Sequence, residues 1–104
     1  MSAAGFDVTD IADGHIDDIY LYSRAHWGEA RARDYIVGLY ACFDAIAARR
    51  VIWRAIDADL GEGFVCHYKR HRIYWQVTGA ERVVIVAVLH ESMHQARRLR
   101  SDTD

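Results

Sequence analysis

Residues 90–94 of the chain read His-Glu-Ser-Met-His. This is the H-E-x-x-H spacing in which two histidines one helical turn apart grip a zinc ion while the glutamate works on the bound water. That chemistry needs a helix and a third ligand. His90 instead closes the run "VVIVAVL" at residues 83–89, whose β-branched composition favours a strand. Beyond His94 only Asp102 and Asp104 offer a ligating carboxylate, and His67 or His71 would have to reach in from another strand. The pattern is read as a chance match, with a zinc protease as a remote alternative, and neither a metal nor a cofactor is expected.

A second chemistry is cleavage of RNA through its 2′-hydroxyl, which asks for a general base, a general acid and a cation for the phosphate. Lys69, Arg72, Tyr74, Arg82 and His90 supply these types if they share one surface. Each also fits a plain role: Tyr74 as a strand tyrosine, Lys69 as a solvated edge charge, His90 as a hydrogen-bonded strand cap. No acid–base pair stands at a diagnostic spacing, so the sequence carries no positive sign of catalysis. Binding is the third option. Residues 1–48 hold eight acids and three bases, net −5, whereas residues 49–104 hold seven acids and ten bases, net +3. Lys69, Arg70, Arg72, Arg97, Arg98 and Arg100 are the cations expected to face an acidic target.

The elements that position these residues follow from periodicity. At 104 residues, 52% hydrophobic and 27% charged, the chain reads as a single globular domain over 1–104. The first basic residue is Arg24, so no basic leader precedes an apolar run, and the seven apolar residues 83–89 fall far short of a membrane span. Cys42 and Cys66 are read as buried thiols, and the expected compartment is the cytoplasm. Asp10 is placed to cap a first helix with Ala12, Ile16, Ile19, Tyr20, Ser23 and Trp27 at helical spacing. Gly28 breaks it. Ala32, Tyr35, Ile36, Leu39, Phe43, Ile46 and Ala47 then form the apolar stripe of a second, antiparallel helix.

From residue 51 the period changes to two. "VIWRAI", "GFVCHYK", "RIYWQV" and "RVVIVAVL" read as four strands, with "RH" and "TGAE" among the tight connections, and short connections require antiparallel pairing. Ile73, Trp75 and Val77 should share one face, and Arg72, Tyr74 and Gln76 the other. The run at 83–89 does not alternate, which predicts a strand covered on both faces, one of them by something outside the chain. Trp75 is assigned to the core, and Trp53 beside Arg54 to a strand edge open to a partner. The fold class is α+β: an N-terminal strand, a two-helix hairpin and a C-terminal antiparallel meander, with the helices on one face.

Three segments, "TDIADGHIDDIYLY", "HWGEARARDYIVGLYACFDAIAAR" and "HRIYWQVTGAERVVIVAVLH", resemble in order and spacing the ParE toxins of the RelE/ParE superfamily, over about residues 6–94. The resemblance implies the toxin of a type II toxin–antitoxin pair, which poisons DNA gyrase, blocks replication and is neutralised by a ParD-like antitoxin in a tight hetero-oligomer. It implies no sequence-specific nucleic-acid binding by the toxin alone. Ile19, Tyr20, Trp27, Trp53, Arg54 and Tyr74 are the candidate antitoxin contacts, and the cations named above the candidate target contacts. RelE-like relatives of the same fold instead cut mRNA on the ribosome, the role the ribonuclease set would serve. The chain departs from the family pattern in lacking a proline after the second helix, and at Phe64, Ala87, Met93 and His94.

Overall fold

A computed structural model describes residues 5–56 and 63–92. Arg97, Arg98, Arg100, Met93, His94, Asp102 and Asp104 lie outside the described residues. The chain runs β1 (Phe6–Val8), α1 (Asp10–Trp27), α2 (Glu29–Ala47), β2 (Arg54–Ala55), β3 (Phe64–Tyr68), β4 (His71–Val77) and β5 (Val83–His90). The strands form one sheet in the order β1-β5-β4-β3-β2. The last four strands pair antiparallel, as their short connections dictate. β1 pairs parallel with β5, placing Phe6 beside Val83 and Val8 beside Ile85. A parallel pair needs a long crossover, and the two helices are part of it.

The α1 cap differs from the expected one. Thr9 is the N-cap: its Oγ1 accepts from the Ala12 N–H at 3.1 Å. Asp10 sits inside the first turn, where its charge favours the positive end of the helix dipole. Thr9 is extended, and its N–H donates to the Ile85 carbonyl at 3.0 Å, so one residue both finishes the sheet contact and starts the helix. Gly28 joins the helices alone, with φ of 90°, as the C-cap of α1 and the N-cap of α2.

Both helices lie on one sheet face. Ala12, Ile16 and Ile19 of α1 and Leu39, Phe43 and Ile46 of α2 are buried against Cys66, Ile73, Trp75, Val83, Ile85 and Val88. The opposite face carries a smaller buried cluster, Val65, Tyr74, Ala87 and Leu89, with Ile56 and Val86 packed against it. The expected alternation therefore holds at Ile73, Tyr74 and Trp75, and β5 is covered on both faces. No outside partner is needed for the second face, since Tyr74 and Leu89 are each only 1% exposed in the single chain. Val77 is exposed at the β4 end.

Three local features were not expected. Tyr74 pairs with Ala87 and Trp75 with Ile85, so Val86 is an extra residue bulged out of β5. The first meander segment is strand only at Arg54–Ala55, and Trp53 precedes it, with its ring edge-to-face on Phe64 at 4.8 Å. The β3–β4 hairpin turns at Lys69 and Arg70, not at Arg70 and His71. Tyr68 pairs with His71, and Lys69 takes the positive φ of 52° that a two-residue hairpin requires.

Candidate functional site

The β3–β4 hairpin end, the end of β5, the C-terminal half of α1 and Tyr35 of α2 together bound a cleft of about 650 Å³. Its apolar side is Ile19, Tyr22, Trp27 and Tyr35, and its polar side is Asp18, Arg70, His71, His90 and Ser92. Strand register makes His71 and His90 cross-strand partners, with perpendicular rings 5.3 Å apart. Tyr35 brings α2 to them: its hydroxyl lies 2.6 Å from His71 Nδ1 and is also met by the Arg70 backbone N–H. Burial, then repulsion from His90, pushes the His71 pKa down to about 4, against a smaller opposing pull from Glu91. His71 is thus a neutral imidazole at ordinary pH. Burial likewise raises the Tyr35 hydroxyl above its usual range, so it stays protonated.

A backbone hydrogen bond fixes which nitrogen of the His90 ring carries the proton. The Ser92 N–H donates to His90 Nδ1 at 3.1 Å, which leaves the His90 proton on Nε2. At His71, the Arg70 N–H fills one acceptor position of the Tyr35 oxygen. The Tyr35 hydroxyl and His71 Nδ1 share their 2.6 Å hydrogen bond, which engages Nδ1 within the chain whichever of the two carries the proton. The His90 imidazole therefore presents a donor on its Nε2 side. Lys69 crowns the hairpin, its Nζ 5.6 Å from the centroids of both the Tyr35 and Tyr68 rings. The Tyr68 hydroxyl donates to the Tyr35 carbonyl at 2.9 Å, and it fits only because residue 38 is glycine: a Cβ there would collide with the Tyr68 hydroxyl.

The five ribonuclease candidates do not meet. Tyr74 and Arg72 belong to the face away from the helices; Tyr74 is buried, with its hydroxyl unpartnered among the described residues, and the Arg72 Nε donates to His67 Nε2 at 3.1 Å. Lys69 and His90 lie on the helix side. Arg82 stands at the far end of β5 from His90, eight residues or roughly 26 Å away at the rise of a strand. There it is held in a two-pronged ion pair with Asp7, Nε to Oδ2 at 2.6 Å and a second nitrogen to Oδ1 at 2.9 Å. That pair holds the Asp7 carboxyl below its usual range and the Arg82 guanidinium above its own.

The zinc pattern asks for a helix at its first histidine, and among the described residues none forms there. His90 ends a strand, and its Nδ1 is taken by Ser92. Of the basic candidates, Lys69, Arg70 and Arg72 cluster at the hairpin. The candidate antitoxin contacts are divided: Ile19 and Trp27 line the cleft, Tyr20 lies under Arg24 with the guanidinium 5.7 Å from its ring, Trp53 and Arg54 belong to the β2 side, and Tyr74 is buried. The sequence reading missed Asp18, Tyr35, His71 and Ser92 as one group. The signal was the pairing of two histidines across the β4–β5 hairpin, visible only once the register is known. Cys42 is half-buried on α2 and hydrogen-bonds the buried Cys66 of β3. That contact lowers the Cys42 thiol and, with burial, raises that of Cys66.

Comparison with known proteins follows the same lines. The family model for "ParE toxin of type II toxin-antitoxin system, parDE" matches residues 6–95. A Toxin ParE1 from Caulobacter vibrioides is 34% identical over 89 residues, 85% of this chain and 90% of that protein. A Toxin ParE1 from Mycobacterium tuberculosis is 30% identical over 89 residues, with the same shares covered. A solved structure described as the chromosomal ParDE TA system from P. aeruginosa aligns with a TM-score of 0.71 over 82% of this chain and 92% of that one, at 13% identity, a likeness of fold. The fold and this coverage define the toxin half of a type II toxin–antitoxin system. Within that class, the chain belongs to the ParE toxin family.

Proposed function

We propose that this ParE-family toxin acts by binding, poisoning DNA gyrase and so blocking replication in the cytoplasm, and that a ParD-like antitoxin neutralises it in a tight complex. The observation that carries the reading is the family match over residues 6–95. The scattering of Lys69, Arg72, Tyr74, Arg82 and His90 over two faces and both ends of the sheet supports binding over mRNA cleavage, since general acid–base chemistry needs its groups within reach of one phosphate. The hairpin cations Lys69, Arg70 and Arg72 suit a target that carries DNA, where each phosphate contact gains by releasing counterions. Among the described residues no helix is long and apolar enough to cross a membrane.

The test is pulse labelling after induction of the toxin without its antitoxin. DNA synthesis should fall first, with the DNA-damage response rising, while protein synthesis holds. Early loss of translation with mRNA cut at ribosomes would transfer the assignment to the ribonuclease alternative.

A further inference from the structure

The cleft between α1 and the β4–β5 end is built for a ligand with one acidic and one apolar part. Its His90 imidazole offers an Nε2–H donor, because Nδ1 accepts from the Ser92 N–H, and the neighbouring His71 has its Nδ1 engaged by Tyr35. Arg70 adds a guanidinium whose ion pair with Glu91 is long at 3.9 Å and whose side chain is 78% exposed, so it is available to a stronger acceptor. Ile19, Tyr22, Trp27 and Tyr35 form an apolar wall facing this donor group, and Tyr22 and Trp27 remain more than half exposed at 57% and 51%. Exposed aromatic rings beside hydrogen-bond donors, the guanidinium of an arginine among them, are the composition of an anchor pocket at a protein interface.

We infer that this cleft receives the antitoxin through a carboxylate side chain, held by Arg70 and His90, next to a bulky apolar side chain seated against Trp27 and Tyr22. The inference rests on the proposed toxin–antitoxin reading and adds the chemistry of one contact to it. At about 650 Å³ the cleft is large enough for two such side chains, and its walls come from α1, α2, β4 and β5, so the fold presents it without rearrangement. Truncating one member of a desolvated charge pair at an interface acts mainly on dissociation.

The experiment measures the dissociation constant between the full-length toxin and the product of its neighbouring antitoxin gene, for wild type, Arg70→Gln, His90→Phe, Trp27→Ala and, on another surface, Ile52→Ser, where Ile52 is 96% exposed. Thermal melts of each free variant establish that it is folded; the exposed Arg70 keeps the test decisive if His90→Phe is not. The expected result is at least a tenfold weakening for each cleft variant, dominated by faster dissociation, with Ile52→Ser unchanged. In the wild-type complex the His71 and His90 ring resonances should shift. If wild type binds tightly and Arg70→Gln and Trp27→Ala bind as tightly, the cleft assignment is overturned while the antitoxin reading stands. If wild type does not bind the antitoxin at all, the reading beneath it falls as well. Histidine resonances unmoved by complex formation, because the chain's own residues 93–104 or a second copy fill the cleft, would also overturn it.

Discussion

Acid should weaken this fold through one side chain that can be singled out, His71. Its folded pKa is about 4, against 6.5 for an exposed imidazole, because burial and the neighbouring His90 disfavour the charged ring. Between those two values the unfolded chain binds a proton that the folded chain does not, so stability falls as pH drops from about 6.5 to about 4 and is fully present above that window. The shift of two and a half pH units corresponds to a ceiling of about 3 kcal/mol, and partial contact of the ring with solvent reduces this to about 2 kcal/mol. His71→Phe keeps a ring in the site and removes the titration. It should cost about 1 kcal/mol near neutrality, from the lost Tyr35 hydrogen bond. Urea unfolding of both proteins from about pH 7.5 to about pH 4 should show the wild-type advantage shrinking and reversing. The Asp7–Arg82 ion pair also weakens in acid, but equally in both proteins, so it cancels from the difference. Stability curves that run parallel through the whole range would refute the burial of a neutral His71.

Other expectations follow from single contacts. Gly38→Ala should destabilise by about 1–3 kcal/mol in urea melts, because the new methyl group displaces the Tyr68 hydroxyl from the Tyr35 carbonyl. Leu39→Ala, at a fully buried position between the helices and the sheet, should cost about 2–5 kcal/mol by the same assay. Glu81→Gly should stabilise by about 0.5–1 kcal/mol, since Glu81 holds a φ of 60° in the β4–β5 turn. In the folded protein, mass-mapped alkylation should reach Cys42 well before Cys66, whose thiol is buried and held protonated; equal rates would contradict the thiol geometry.

Much of the scaffold was readable because its signals are local. Leu39, Phe43 and Ile46 recur at helical spacing and are all buried, Gly28 divides the helices, and the unbroken apolar run of β5 is covered on both faces. What escaped depends on partners distant in sequence. The three residues of β1 carry no period, and their parallel pairing with β5 bridges more than 70 positions, so nothing local encodes it. Thr9 outcompeted Asp10 as the cap because Thr9 is the residue held extended by its bond to Ile85. The site was less legible than the fold. Tyr35 was visible only as one member of an apolar stripe, and His71 as part of a turn, and their hydrogen bond arises from the placing of α2 over the sheet. Conversely, residue types suited to RNA cleavage were present, yet sheet register sends Tyr74 and His90 to opposite faces and Arg82 to the far end.

Poisoning of gyrase by the toxin is measured directly in a supercoiling and cleavage assay with purified gyrase, plasmid DNA and toxin freed of its antitoxin. The expected result is a dose-dependent loss of supercoiling with accumulation of gyrase-linked broken DNA, abolished by adding the antitoxin in equal amount. Full supercoiling at a large excess of folded toxin, alongside mRNA cleavage by the same preparation on translating ribosomes, would contradict it.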